Sequence, residues 1–131
     1  MRPYRIHPDE QQRNPRKPRF EVIDKTRIIK DGKQRLEFHE YDYSTHTDEF
    51  VLAYLPSHKL IVTGDQVYIL RDAKPVPANS RERAIHRLVK ERKLDVQHIM
   101  QTWFLQQSDH MVPYSALEEK VRLAEAKDSK K

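Results

Sequence analysis

The chain has 131 residues and a formal net charge of +5, with 34% charged and 37% hydrophobic residues and no cysteine. That length supports one modest hydrophobic core without staples, and the missing cysteine excludes disulfides, thiolate metal ligands and cysteine nucleophiles, so any metal site is built from His, Asp or Glu. No apolar run approaches the roughly 20 residues that cross a bilayer, and the opening MRPYRIHPDEQQ lacks a signal peptide's apolar stretch; a soluble cytoplasmic protein with no membrane partner is the expectation.

Charge is unevenly spread. Residues 1–35 carry 11 Lys/Arg against 5 Asp/Glu, and the remainder carries 14 against 15. Residues 1–19 hold four of the eight prolines and six Arg/Lys with hardly any apolar side chain, so burial there cannot offset the entropy of ordering. They read as a basic proline-rich arm, ahead of a domain over 20–127 and a polar tail over 128–131. A lead-in packed on the domain is the plainer account of the arm, and a nucleic-acid-binding arm is the alternative.

TRIIKDGKQRLEFHEYD predicts a hairpin around Asp31-Gly32, a pair that tolerates positive φ. Alternation places Leu36 and Phe38 on its buried face and leaves Glu37 and His39 as solvated surface. FVLAYL and KLIVTG, joined by a turn over 55–59, are continuous apolar runs, as expected of strands covered on both faces. After the proline-rich loop RDAKPVPANS, Asn79 and Glu82 form a capping box for a helix reaching about Lys93, with Ala84, Ile85, Leu88 and Val89 inward. The basic side chains of that helix read as solvated surface. LDVQHIMQTW predicts a short buried strand. Ser115 and Glu118 repeat the capping-box spacing before a last helix with Leu117, Val121 and Ala124 as its stripe. The element order predicts a mixed α/β fold of α+β character, two helices on a largely antiparallel sheet.

Two potential ligands flank the paired strands. His46 precedes the first and Asp65 follows the second, and with a tight turn between them both loops emerge at one sheet edge. A His and an Asp in neighbouring loops are more often solvated polar groups than ligands. The whole stretch HTDEFVLAYLPSHKLIVTGDQVY, however, resembles the metallo-β-lactamase fold superfamily, in whose metallo-hydrolases a metal-binding histidine precedes one strand and an aspartate closes the next. The likeness continues into Leu94, Asp95 and Ile99, in a segment whose closing histidine ligand is Trp103 here.

The resemblance implies half of an αββα sandwich, its carboxy-terminal half, with His46 binding one metal and Asp65 bridging two. The family's His-x-His-x-Asp-His motif has no counterpart among His7, His39, His46, His58, His86, His98 and His110. A catalytic zinc has about three protein ligands, so the expectation is no tightly bound metal in this chain alone, zinc if a partner completes the cage, and no catalytic residue. His98 and His110 are the candidates to replace the ligand lost at Trp103, whose indole is expected to fill vacated space. Three functions follow: a degenerate hydrolase domain serving as a packing or interaction module, half of a metal-dependent hydrolase completed by a missing segment or partner chain, and a small basic nucleic-acid-binding module. Either of the first two needs self-association or a partner chain to cover the exposed sheet face.

Overall fold

The computed structural model describes residues 10–43, 45, 47–71, 73–102 and 109–130. Among them, one short helix, α1 (Glu10–Arg13), precedes strands β1 (Thr26–Asp31), β2 (Gln34–Tyr41), β3 (Phe50–Leu55) and β4 (Leu60–Gly64). Helix α2 (Ser80–Glu91), strands β5 (His98–Gln101) and β6 (Met111–Pro113), and helix α3 (Tyr114–Asp128) follow. The strands form one sheet in sequential order, antiparallel throughout except where β4 lies parallel to β5. This is the expected mixed α/β arrangement, mostly antiparallel with two helices of full length.

Local chemistry accounts for the connections. Gly32 turns the first hairpin with φ 55°, a left-handed conformation that costs glycine nothing. Between β3 and β4 a single 3₁₀ turn, Pro56–His58, ends on Lys59 at φ 48°. A parallel neighbour cannot be reached by so short a link, and α2 supplies the crossover from β4 to β5. Its amino terminus carries the expected capping box: Asn79 Oδ1 accepts from Glu82 N at 3.0 Å, and Asn79 N donates to Glu82 Oε2 at 3.0 Å. The helix stops at Glu91, with Arg92 as its C-cap, just short of Lys93. The second capping box does not form. Helix α3 begins at Tyr114, before Ser115, and its N-cap is Pro113, which offers no side-chain acceptor. Strand β6 was not expected at all; three residues, one a proline, carry too little pattern.

Both long helices pack on the same sheet face. Leu52, Ile61 and Ile99 from the strands meet Ile85 and Leu88 of α2 and Leu117 of α3, each 0–1% exposed. The register then decides β2: Glu37 lies opposite Tyr54, His39 opposite Leu52 and Tyr41 opposite Phe50, so the odd-numbered residues go under the helices. Glu37 and His39 are therefore buried, at 8% and 5% exposure, which corrects the expectation of a solvated pair. They survive burial because they satisfy each other. His39 Nε2 lies 2.9 Å from Glu37 Oε2, Arg35 Nε donates to Glu37 Oε1 at 2.7 Å, and Thr26 Oγ1 is 3.4 Å from His39 Nδ1.

Leu36 and Phe38 lie on the opposite face and are only half-buried. With them stand Ile29, Val51, Ala53, Val62, Met100 and Met111, of which Ile29, Val51 and Met111 are exposed. The paired strands β3 and β4 are thus covered on one face and half-open on the other, not enclosed on both. No helix long and apolar enough to cross a membrane occurs among the described residues.

One buried ion pair joins the two helices. Lys120 Nζ of α3 donates to Glu82 Oε1 of α2 at 2.5 Å, with Glu82 1% exposed and Lys120 8%. The cations of α2 make surface pairs: Arg83 with Asp128 and Lys90 with Glu118, both reaching α3, Arg87 with Glu91, and Arg81 near Asp65. Glu82→Ala strands a buried ammonium and is expected to cost roughly 3–5 kcal/mol, whereas Glu118→Ala at the exposed pair is expected to cost under about 1 kcal/mol; urea denaturation of the two variants checks the contrast.

Two imidazoles link stability to pH. Burial lowers the pKa of His39 below its ordinary 6.5, against the pull of Glu37 and with the help of Arg92 and Arg35. Burial, then Lys90, lowers that of His86, whose Nδ1 lies 3.0 Å from the Tyr114 hydroxyl. A depressed imidazole binds fewer protons folded than unfolded, so its contribution is complete above the unfolded value of 6.5 and is lost as pH falls below it. Denaturation midpoints are expected to be flat above neutrality and to drop through the mildly acidic range, less steeply in His86→Gln.

Candidate metal site at the end of the parallel pair

Strand β4 ends on Gly64 at φ 58°, with open space where a Cβ would stand. The glycine is required by backbone conformation, not by crowding. A register shift between Val62 and Gly64 interrupts the pairing with β5 at this point, and such an irregularity re-aims the residue that follows. That residue is Asp65. Its carboxylate accepts from Gln66 Nε2 at 2.8 Å on Oδ1, lies 4.0 Å from Arg81 Nη1 on Oδ2, and its side chain is 38% exposed.

His46 and Trp103 fall outside the described residues, so Asp65 is the one member of the expected pair with a described position. His98 does not join it. It pairs with Leu60 at the opposite end of β5, whereas Gln101 pairs with Gly64, a separation of roughly 10 Å along the strand at about 3.3 Å per residue. His110 is at the correct end: its carbonyl accepts from Gln101 N at 2.9 Å. Its neighbour Asp109 is committed to Arg71, whose guanidinium holds the carboxyl below the ordinary carboxylate range. No group of three or more His, Asp or Glu side chains placed to hold a metal occurs among the described residues. The described donor set, one carboxylate facing an arginine and an amide, does not fit a zinc ion, which takes about three protein ligands.

Two glutamines that sequence reasoning passed over shape this edge. Gln101, 1% exposed, donates from Nε2 to the carbonyls of Ile69 and Asp109 at 2.9 and 2.6 Å and accepts from Ile69 N at 2.9 Å. One amide thereby ties the loop after β4 to the loop before β6. Gln66 is equally buried, and its Oε1 has no hydrogen-bond partner. A signal was present: a glutamine inside the apolar run HIMQ has four hydrogen-bonding sites to satisfy, which marks it as a clamp.

Gln101→Ala removes three hydrogen bonds and leaves buried backbone groups unpaired, so a loss of roughly 2–4 kcal/mol is expected. Asp65→Asn, at a half-exposed position, is expected to change stability by less than about 0.5 kcal/mol. Guanidinium denaturation of the two variants separates the clamp from the candidate ligand.

No protein-family model matches the chain, and no curated protein matches it by sequence. Solved structures do. A metallo-β-lactamase from Pontibacter korlensis superposes with a TM-score of 0.51 at 21% identity, over 79% of this chain and 47% of that one. VMB-1 gives 0.50 at 18% identity over 82% and 48%, and the DIM-1 metallo-β-lactamase gives 0.50 at 19% over 79% and 46%. The chain thus spans about half the length of the structures it matches. With its six strands in register and both helices on one face, it has the metallo-β-lactamase fold over that half.

Proposed function

We propose that the chain is a partial, degenerate metallo-β-lactamase-fold hydrolase domain, catalytically silent by itself, that acts as a packing module corresponding to the carboxy-terminal half of the sandwich. The observation that carries this reading is the half-open second face of the sheet. Leu36, Phe38, Ala53, Val62 and Met100 are half-buried with no helix over them among the described residues, Ile29, Val51 and Met111 are exposed, and Leu60 alone of this set is buried. Contiguous apolar area of this kind marks an interaction surface, and in an αββα sandwich it is the surface a second sheet covers, about 10 Å away. The occupant is a second copy of this chain or a partner chain.

A second reading is favoured by the half-length match: the chain supplies one half of a metal-dependent hydrolase, and a further segment or partner chain brings the missing ligands to the Asp65 edge. Elemental analysis distinguishes the two. Under the first reading, protein purified without chelator is expected to hold far less than stoichiometric zinc and to show no hydrolysis. Tightly held stoichiometric zinc in the isolated chain, with turnover abolished by Asp65→Ala, overturns it. Zinc that appears only with a co-purified partner supports the second. In light scattering the isolated chain is expected to run as a dimer or larger species, and Phe38→Glu to shift it to monomer; a monodisperse monomer at high concentration removes the packing role.

A further inference from the structure

The lead-in to the sheet and its first hairpin hold the molecule's surplus of positive charge and almost none of its core. Residues 13–35 carry 9 Lys/Arg against 3 Asp/Glu, whereas residues 36–131 carry 14 against 15. Every residue from 13 to 35 is exposed except Ile23, which is half-buried. The described part of the arm is therefore not a lead-in packed on the domain, which corrects that expectation. Between Arg13 and Thr26 the chain forms neither helix nor strand, in keeping with Pro15 and Pro18, which lack the N–H that either would use.

Glu21 fastens this segment to the edge strand. Its Oε2 accepts from Arg27 Nη2 at 2.6 Å, and its Oε1 lies 3.9 Å from Arg19 Nε, so one carboxylate answers two guanidiniums beside β1. On the hairpin, Lys30 stands directly opposite Arg35, a like-charge pair that costs stability. Arg35 is answered by Glu37 at 2.7 Å. Lys17, Lys25, Lys30 and Lys33 form no ion pair among the described residues. Glu37 and Glu40 on the neighbouring strand leave the cations in clear surplus. One aromatic is set among them without cover: Phe20, next to Arg19, is 88% exposed, and Val22 is 94% exposed. Packing in the fold accounts for neither.

We propose that the arm and the β1–β2 hairpin form a surface for single-stranded nucleic acid, in which Lys17, Lys25, Lys30 and Lys33 neutralise phosphates and a base stacks on Phe20. Unpaired lysines on an exposed segment release the counterions of a polyanion on contact, and an uncovered aromatic ring between cations is a stacking platform for any base. A single strand fits better than a duplex, because a side chain stacks only on a base whose own face is free. It fits better than a lipid surface, because residues 14–25 make no amphipathic helix to lie in one. The surface lies at the opposite edge of the sheet from β6, and its ligand contacts need no part of the Asp65 site.

The test is fluorescence anisotropy of the full chain with a labelled oligouridylate of about 20 nucleotides, between about 50 and 200 mM KCl, where counterion release is steep. Saturable binding is expected, with log affinity falling against log salt at a slope of about −3 or steeper, from four lysines at about 0.7 each. Lys30→Ala/Lys33→Ala is expected to make the slope shallower by about 1.4. Lys127→Ala/Lys130→Ala removes the same charge at the end of α3, which Asp128 ties to Arg83 near the start of α2, and is expected to leave the slope unchanged. Phe20→Ala is expected to weaken binding at least about fivefold at every salt concentration with the slope kept. All five side chains are exposed, so the variants fold as the parent does. The proposal is overturned by the absence of saturable binding at the lowest salt, by equal effects of the two lysine pairs, by Phe20→Ala binding like the parent, or by tighter binding to a duplex of the same length or to phosphatidylserine vesicles.

Discussion

Everything in this molecule depends on which side of the sheet the two helices cover. Side chains alternate along a strand with a period of two, so once Leu52, Ile61 and Ile99 are pinned beneath Ile85, Leu88 and Leu117, every other residue of the sheet is assigned to a face. That assignment draws Glu37 and His39 into the interior as a mutually satisfied pair and leaves Leu36 and Phe38 on the other side. The price in desolvation is offset by Arg35 and Thr26, which complete the hydrogen bonding of the pair. The half-open apolar face, and with it the argument for a partner, follows from the same alternation.

The architecture was legible where the pattern is local. The Asp31-Gly32 turn, the pairing of the apolar strands and the Asn79–Glu82 cap each rest on a few adjacent residues whose chemistry permits little else, and each forms as read, although the paired strands are covered on one face only. The misreadings arise where a tertiary choice decides. In β2 both alternating sets contain four residues, and hydrophobicity alone favours Leu36 and Phe38 for the core; the pairing of Tyr41 opposite Phe50 accompanies the other set. At α3, the Ser115–Glu118 spacing imitates a cap, yet Tyr114 is already needed in the helix, where its ring stacks on His86 with centroids 6.0 Å apart.

The candidate site was legible in a different way. Composition and spacing could say only that His46 and Asp65 flank two strands; the resemblance assigned them a chemistry. Gly64 and the adjoining irregularity place Asp65 at the edge where β4 and β5 end and where Gln101 fastens two loops. His98 was excluded by the same register, because a parallel pair carries its start and its end to opposite edges of the sheet. What spacing could not show was the neighbourhood of Asp65, where Gln66 Nε2 donates to Oδ1 and Arg81 Nη1 lies 4.0 Å from Oδ2.

Strand β1 ends the sheet with all six of its residues exposed, so its outer backbone groups offer a template to any passing extended segment. Three of those residues are charged, Arg27, Lys30 and Asp31, and a neighbouring strand stacked in register would set like against like at each. Contact through the broad apolar face meets no such repulsion and is self-limiting, because each copy has one such face to give. For the proposed self-association, the charged rim favours closed pairs over open-ended fibrils.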